Sequence, residues 1–138
     1  MARVFADTNI VLDWLGDRAP YAETAAALSL LGEQRRVEIF VSPFTYMTTE
    51  YILRKQIGKA ATQQALAALR AISKVAGAET TVIDKSLLSS FRDYEDALQY
   101  ECAARTEATV IITRNPKDFK HADIPVMQPA AYLAMLKR

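Results

Sequence analysis

The chain has 138 residues, 51% of them hydrophobic and 24% charged, which suits one globular domain with a real core and excludes a disordered tail or a fibrous repeat. Seventeen Lys and Arg against sixteen Asp and Glu leave a formal charge of +1, so there is no global basic field of the kind that marks a nonspecific nucleic-acid coat. No apolar run approaches the ~20 residues needed to span a bilayer, and the first residues enter a strand instead of a signal-peptide core, so a cytoplasmic chain with no membrane association is expected.

Taken in order, Arg3 to Ala6 reads as a first strand, followed at once by Asp7-Thr8-Asn9 and a helical run from Ile10 to about Gly16. A longer Ala- and Leu-rich helix is expected from about Tyr21 to Arg35, and Glu38 to Val41 reads as the second strand. Ser42 as N-cap and Pro43 at the first helical position open a helix that runs towards Lys55, carries Glu50 and ends at Gly58. A further helix from about Ala60 to Val75 is closed by Gly77, and the β-branched run Thr80 to Ile83 reads as strand three. Asp84 to Phe91 and Asp93 to Glu107 read as two helices, the latter with the single cysteine, Cys102, as a small buried hydrophobe. Thr109 to Thr113 is a fourth strand, Pro125 to Met127 a short fifth, and Ala130 to Leu136 the last helix. Strands alternating with helices predict one α/β domain over residues 1–138, a three-layer α/β/α arrangement around a parallel sheet of four or five strands. There is no linker, internal repeat or low-complexity segment.

Four segments supply acids near strand ends or in the helices that follow them: Asp7 after strand one, Glu50 in the helix after strand two, Asp93 and Asp96 at a helix start, and Asp118 in the loop that also holds Asn115. Each has an ordinary reading. Asp7 is a good N-cap, Glu50 can pair with Arg54 at the surface, Asp93 and Asp96 have capping spacing, and Asn115-Pro116 is a turn signal. Their joint placement adds weight, because in a parallel sheet the positions after strand ends converge on the edge where ligands sit. Crowded carboxylates raise one another's pKa, and a divalent cation relieves that repulsion. Oxygen donors select Mg²⁺ or Mn²⁺, while one His and one Cys in the whole chain disfavour zinc and Ser-His-Asp or Cys-His catalysis. Glycine-rich phosphate loops are absent, and a receiver-type phosphoacceptor would need a Lys after strand five where Val126-Met127-Gln128-Pro129 has none.

The order Asp7-Thr8-Asn9, Glu50, Asp96-Ala97-Leu98 and Thr113-Arg114-Asn115 with Asp118-Phe119 resembles the PIN-domain ribonucleases across nearly the whole chain, and Glu95-Asp96-Ala97-Leu98-Gln99 is similar to the bacterial subgroup that includes VapC-type toxins. The resemblance implies an endoribonuclease that uses Mg²⁺ or Mn²⁺ to hydrolyse single-stranded or loop RNA, the toxin of a toxin-antitoxin pair, with an antitoxin protein as partner and a homodimer as its form. It implies Asp7, Glu50 and Asp96 as metal ligands, with Asn115 completing the catalytic set in place of a fourth carboxylate. Asp93, Asp118, Asn9, Thr8 and Thr113 are further candidates for the metal or for orienting its ligands, and Arg114 and Lys117 for substrate phosphates. The alternative is a catalytically inactive PIN-like module held by a protein partner.

Overall fold

The computed structural model describes residues 1–137. Five parallel strands form one sheet: β1 (Ala2–Ala6), β2 (Val37–Val41), β3 (Ser73–Val75), β4 (Val110–Ile112) and β5 (Val126–Met127). Their spatial order is β3-β2-β1-β4-β5. Seven helices connect and cover them: α1 (Thr8–Leu15), α2 (Ala22–Glu33), α3 (Pro43–Ile57), α4 (Lys59–Ile72), α5 (Thr80–Leu87), α6 (Tyr94–Ala104) and α7 (Pro129–Leu136), with a 3-10 turn at Pro116–Phe119. The chain moves outward from β1 through β2 to β3 and then returns to the other side of β1 for β4. The strand order therefore reverses between β1 and β4, and this switch point leaves a crevice at their carboxyl ends.

Side-chain alternation along the strands builds two cores. Val4, Ala6, Val110 and Ile112 point to one face, where they meet Ile10 and Val11 of α1, Ala25 and Leu28 of α2, Leu69 of α4 and Tyr132 of α7. Phe5 and Ile111 point to the other face and meet Val82 of α5 and Cys102 and Ala103 of α6. With β1 and β4 covered on both faces, their inner residues are uniformly apolar, and all three β4 residues are buried. No described helix is long and apolar enough to cross a membrane.

The third strand is a correction to the sequence reading. Thr80 to Ile83 begins helix α5, and the strand is instead Ser73–Val75, at the tail of what reads as one helix to Val75. The β-branched residues favour a strand only weakly when one helical face can be buried, and Val82 and Ser86, four apart, are the buried pair of α5. The real strand is three residues long at the sheet edge, too short for periodicity to reveal. Its backbone pairs with Ile39 to Val41, and Lys74 reaches across to Glu38 at 2.7 Å. The helix before it stops because Ser73 takes an extended backbone (φ −139°, ψ 165°), while the Ser73 hydroxyl donates to the Leu69 carbonyl at 2.6 Å.

Gly32 separates helix propensity from packing. A Cβ there would stand 2.6 Å from Ile39 Cδ1 and 3.0 Å from the Ile72 carbonyl oxygen. Propensity alone favours Ala by about 1 kcal/mol, whereas overpacking costs about 1–3 kcal/mol. Urea denaturation of Gly32→Ala should therefore give a net loss of stability; a gain would mean that α2 can shift away from β2 freely.

Candidate active site

The crevice is built around Asp7, which caps α1 directly after β1 and is only 7% exposed. A carboxylate in such a place needs hydrogen bonds on both oxygens. Oδ1 accepts from the Thr8 backbone N–H (2.9 Å) and from Gln99 Nε2 (3.1 Å). Oδ2 accepts from the Thr113 hydroxyl (2.9 Å) and, at 3.5 Å, from Asn9 Nδ2. Thr113 stands at the end of β4, so this bond closes the two strands across the switch point. Asn9 also donates to Thr113 Oγ1 (3.1 Å) and accepts from the Arg114 backbone N–H (3.2 Å), while the Asn115 N–H donates to Thr113 Oγ1 (3.2 Å).

Gln99 is the second organising group, and the sequence reading did not single it out. It is 1% exposed on α6. Its Nε2 donates to Asp7, to Thr45 Oγ1 at 2.9 Å and towards Thr8 Oγ1 at 3.3 Å, while its Oε1 accepts from the Ser42 hydroxyl. Thr8 and Thr45 hydroxyls lie 2.7 Å apart, and Ser42 caps α3 by accepting from the Thr45 N–H at 3.2 Å. One amide thereby connects the starts of α1 and α3 to α6. Its place one turn beyond Asp96, at i+3 on the same helix, was the available sequence signal.

The remaining acids divide into those gathered at the crevice and those held elsewhere. Asp96, half-buried in the first turn of α6, is pushed up to about 7, first by burial and then by the charges of Asp7, Asp93, Asp118 and Glu95. Asp7 is raised chiefly by burial; the bonds from Gln99, Thr113 and Thr8 oppose the rise, and Asp118 adds to it. Glu95 is raised by desolvation and then by Asp93 and Asp7. Asp93 also serves as the α6 N-cap, accepting from the Glu95 N–H at 2.8 Å. Glu50 is directed to Arg54 instead, in a half-exposed i,i+4 pair at 3.0 Å. Lys117 is exposed on the 3-10 turn. Arg114 is committed to Asp13, donating through Nε (2.6 Å) and Nη2 (3.3 Å), with its guanidinium 4.0 Å above the Tyr21 ring. Asp13, 1% exposed, is a second buried acid the sequence reading passed over, although a lone charge in Ile10-Val11-Leu12-Asp13-Trp14-Leu15 was a signal.

The donor chemistry suits a hard divalent ion. Carboxylate oxygens dominate the crevice, His121 packs near Phe91 with ring centroids 6.0 Å apart, and Cys102 is buried in a core. Asp96, raised by burial and then by the Asp7 charge, makes with Asp7 the pair whose repulsion a cation would relieve. Among the described residues no three His, Cys, Asp or Glu side chains already converge on one ligating point, so a third protein ligand requires a side chain to move. Glu50 is held by a half-exposed i,i+4 ion pair, a kind worth about 0.3–0.5 kcal/mol.

A family model described as a PIN domain matches residues 3–117. No curated protein matches the chain. Among solved structures, the DNA-bound VapBC of Salmonella typhimurium aligns with a TM-score of 0.70 at 14% identity, covering 94% of this chain and 99% of that one. A toxin-antitoxin complex from Klebsiella pneumoniae aligns at 0.68 and 23% identity over 91% and 97% of the two chains. VapC20 of Mycobacterium tuberculosis, described as a sarcin-ricin loop cleaving toxin, aligns at 0.63 and 15% identity over 78% and 86%. At these identities the structures share a fold with this protein, and the family match, which spans most of the sequence, places it: the chain belongs to the PIN domain family.

Proposed function

We propose that this protein is a divalent-metal-dependent endoribonuclease that hydrolyses phosphodiester bonds in single-stranded or loop RNA, and that it is the toxin partner of an antitoxin protein. The observation that carries the reading is the gathering of acids around Asp7 at the β1–β4 switch point: Asp7 is held by four protein donors, and Asp96 is raised to about 7 by burial and then by the charges of Asp7, Asp93, Asp118 and Glu95. Solved relatives that are themselves toxin-antitoxin complexes support the partner, and a homodimer remains part of the proposal.

Asp7 and Asp96 are assigned as the primary metal ligands, Glu50 as a third ligand or as the base that receives a proton from the attacking water, and Asn115 as the group that positions that water. The charges of Asp93 and Asp118 reach Asp96, and either is a candidate for a further ligand after a movement of its side chain. Thr113, Thr8 and Asn9 hold the Asp7 carboxylate in place, and Gln99 holds it from the α6 side. Lys117 is free to meet a substrate phosphate. A bound Mg²⁺ or Mn²⁺ supplies Lewis acidity and lowers the pKa of water at neutral pH. A flexible, unpaired strand suits an acid-lined crevice bordered by scattered bases better than a rigid duplex does.

Metal and protons should compete for the same carboxylates. Asp96 binds a proton more tightly folded than unfolded, so its contribution to stability is complete below about pH 4 and lost as pH rises to about 7. In EDTA the melting temperature should fall between pH 5 and 8, and less steeply in Asp96→Asn. Millimolar Mn²⁺ should raise the wild-type value most at the alkaline end and the variant's hardly at all. Equal pH slopes and equal metal responses in the two proteins would remove Asp96 from the site.

Hydrolysis by water leaves a 5′-phosphate and a 3′-hydroxyl, whereas attack by the neighbouring 2′-hydroxyl leaves a 2′,3′-cyclic phosphate. Mass spectrometry of a cleaved oligoribonucleotide should find the former, only with divalent metal and not with Asp7→Ala. Cyclic phosphate as the main end would refute the assignment.

Gln99 gives a test of the network. In Gln99→Leu the Asp7 Oδ1, the Ser42 hydroxyl and the Thr45 hydroxyl lose a partner, and a buried polar group left unpaired costs about 1–3 kcal/mol. Urea denaturation should register a loss of that size or more. Gln99→Glu keeps the shape and sets a carboxylate against Asp7, so its stability should depend on pH more steeply than the wild type's. Two variants with wild-type stability at every pH would show that the amide is a bystander.

A further inference from the structure

A second concavity opens beside the crevice. It has a volume of about 420 Å³ and is lined by Asp13, Tyr21, Thr24, Arg114, Asn115 and Gln128 together with prolines 20 and 129 and Ala130. That volume falls within the range of about 300–1,000 Å³ typical of small-ligand pockets. Asn115 borders both spaces, since its backbone N–H is tied to Thr113 Oγ1 of the Asp7 network and its side chain is exposed. We propose that this cleft is a nucleotide subsite, which holds one unpaired base next to the cleaved phosphodiester and gives the protein a base preference. The proposal rests on the ribonuclease reading and deepens it.

The wall of the cleft is a rigid cationic platform. Arg114 is fixed through its backbone on both sides, its N–H donating to Asn9 Oδ1 and its carbonyl accepting from Gln128 Nε2 at 3.3 Å. Its guanidinium is fixed edge-on by Asp13 and lies face-on over Tyr21. Asp13 is a single buried negative charge shared by two guanidiniums, since Arg18 Nε also approaches it at 3.2 Å. The three groups thus carry one net positive charge beside an acidic crevice. Held this way, Arg114 spends two of its five N–H donors on Asp13 and offers a flat cation of the kind on which nucleobases stack.

Tyr21 remains 42% exposed although one face lies under Arg114, so it offers an aromatic surface of its own beside the guanidinium. The polar groups around it suit the edge of a base. Asn115 and Gln128 carry exposed side-chain amides that can both donate and accept, and the Thr24 hydroxyl donates to the Tyr21 carbonyl at 3.2 Å while keeping its lone pairs. Unpaired bases are read in this manner, by stacking on an aromatic or guanidinium plane and by hydrogen bonds to their edges. A cationic peptide side chain would meet the excess positive charge and is disfavoured.

The test separates the cleft from the chemistry. The full chain, labelled with ¹⁵N and ¹³C and kept in EDTA, is titrated with the four 5′-ribonucleoside monophosphates and, separately, with inorganic phosphate while Tyr21, Thr24, Asn115 and Gln128 signals are followed by NMR. At least one nucleotide should move these signals saturably and bind more tightly than phosphate. Tyr21→Ala should weaken that binding by about five- to a hundredfold, the loss expected of one stacked base, while Tyr21→Phe keeps it. In metal-dependent cleavage of oligoribonucleotides that differ at one flanking position, Tyr21→Ala should flatten the base preference. Nucleotides that bind no better than phosphate, or that leave these four residues unmoved, overturn the subsite. Binding in EDTA without any metal-dependent cleavage by the wild type would keep the subsite and overturn the ribonuclease reading; cleavage whose base preference survives Tyr21→Ala would do the reverse.

Discussion

The position of Asp7 is the constraint on which the rest depends. A carboxylate at the switch point between β1 and β4 cannot be satisfied by solvent, because the strands bring it inside the fold at 7% exposure. Its partners must come from the protein, and they come from three places: its own helix, through Thr8 and Asn9, the end of β4 and the middle of α6. Each of those elements is positioned by one of the two cores. Val4 and Ala6 anchor β1 to α1 and α2 on one face, while Phe5 and Ile111 anchor β1 and β4 to α6 on the other. Packing on both faces of the sheet therefore converges on the orientation of one side chain.

Asp96 has the opposite circumstances. It is half-buried and accepts none of the described hydrogen bonds, while Asp7, Asp93, Asp118 and Glu95 all disfavour its charge. A fold selected only for stability would place an amide there, as α6 does one turn later with Gln99. Satisfying Asp7 while leaving Asp96 in need of a positive partner is the arrangement expected where an ion or a polarised water belongs. The same contrast runs through the basic residues. Arg54 and Arg114 each hold a carboxylate, but the Glu50–Arg54 pair is open to solvent and weak, whereas Asp13 is buried and would keep only the Arg18 Nε at 3.2 Å if Arg114 moved away. Glu50 is the more easily released of the two carboxylates.

These differences explain how much could be read in the sequence. Asp7, Asn9, Thr113 and Asn115 were legible because they directly follow strands whose apolar runs are plain, and the sheet rule then carries them to one edge. Asp96 and Asp93 were legible through capping spacing at the start of α6. The Glu50–Arg54 alternative was legible for the same local reason, since i,i+4 neighbours need no tertiary knowledge. What escaped were groups whose meaning is set by distant partners. Gln99 lies 92 residues from Asp7 and 54 from Thr45, and Asp13 lies 101 from Arg114. The strand at Ser73–Val75 escaped because its register is imposed by β2 and not by its own three side chains.

The two buried acids on α1 also have a common geometry. Asp7 caps the helix and Asp13 lies near its other end, so one short helix ties the sheet edge to both the crevice and the neighbouring cleft. Arg114 and Asn115 adjoin the same two spaces from the β4 side, with Asn9 clamping the Arg114 backbone between them. A shift of α1 relative to β4 would disturb the Asp7–Thr113 bond and the Asp13–Arg114 pair together. Since Ile10 and Val11 of α1 share one core with Val110 and Ile112 of β4, such a shift is opposed by apolar burial as well as by these polar links. The polar groups define the crevice and the cleft, and the core beneath α1 keeps the two in fixed register.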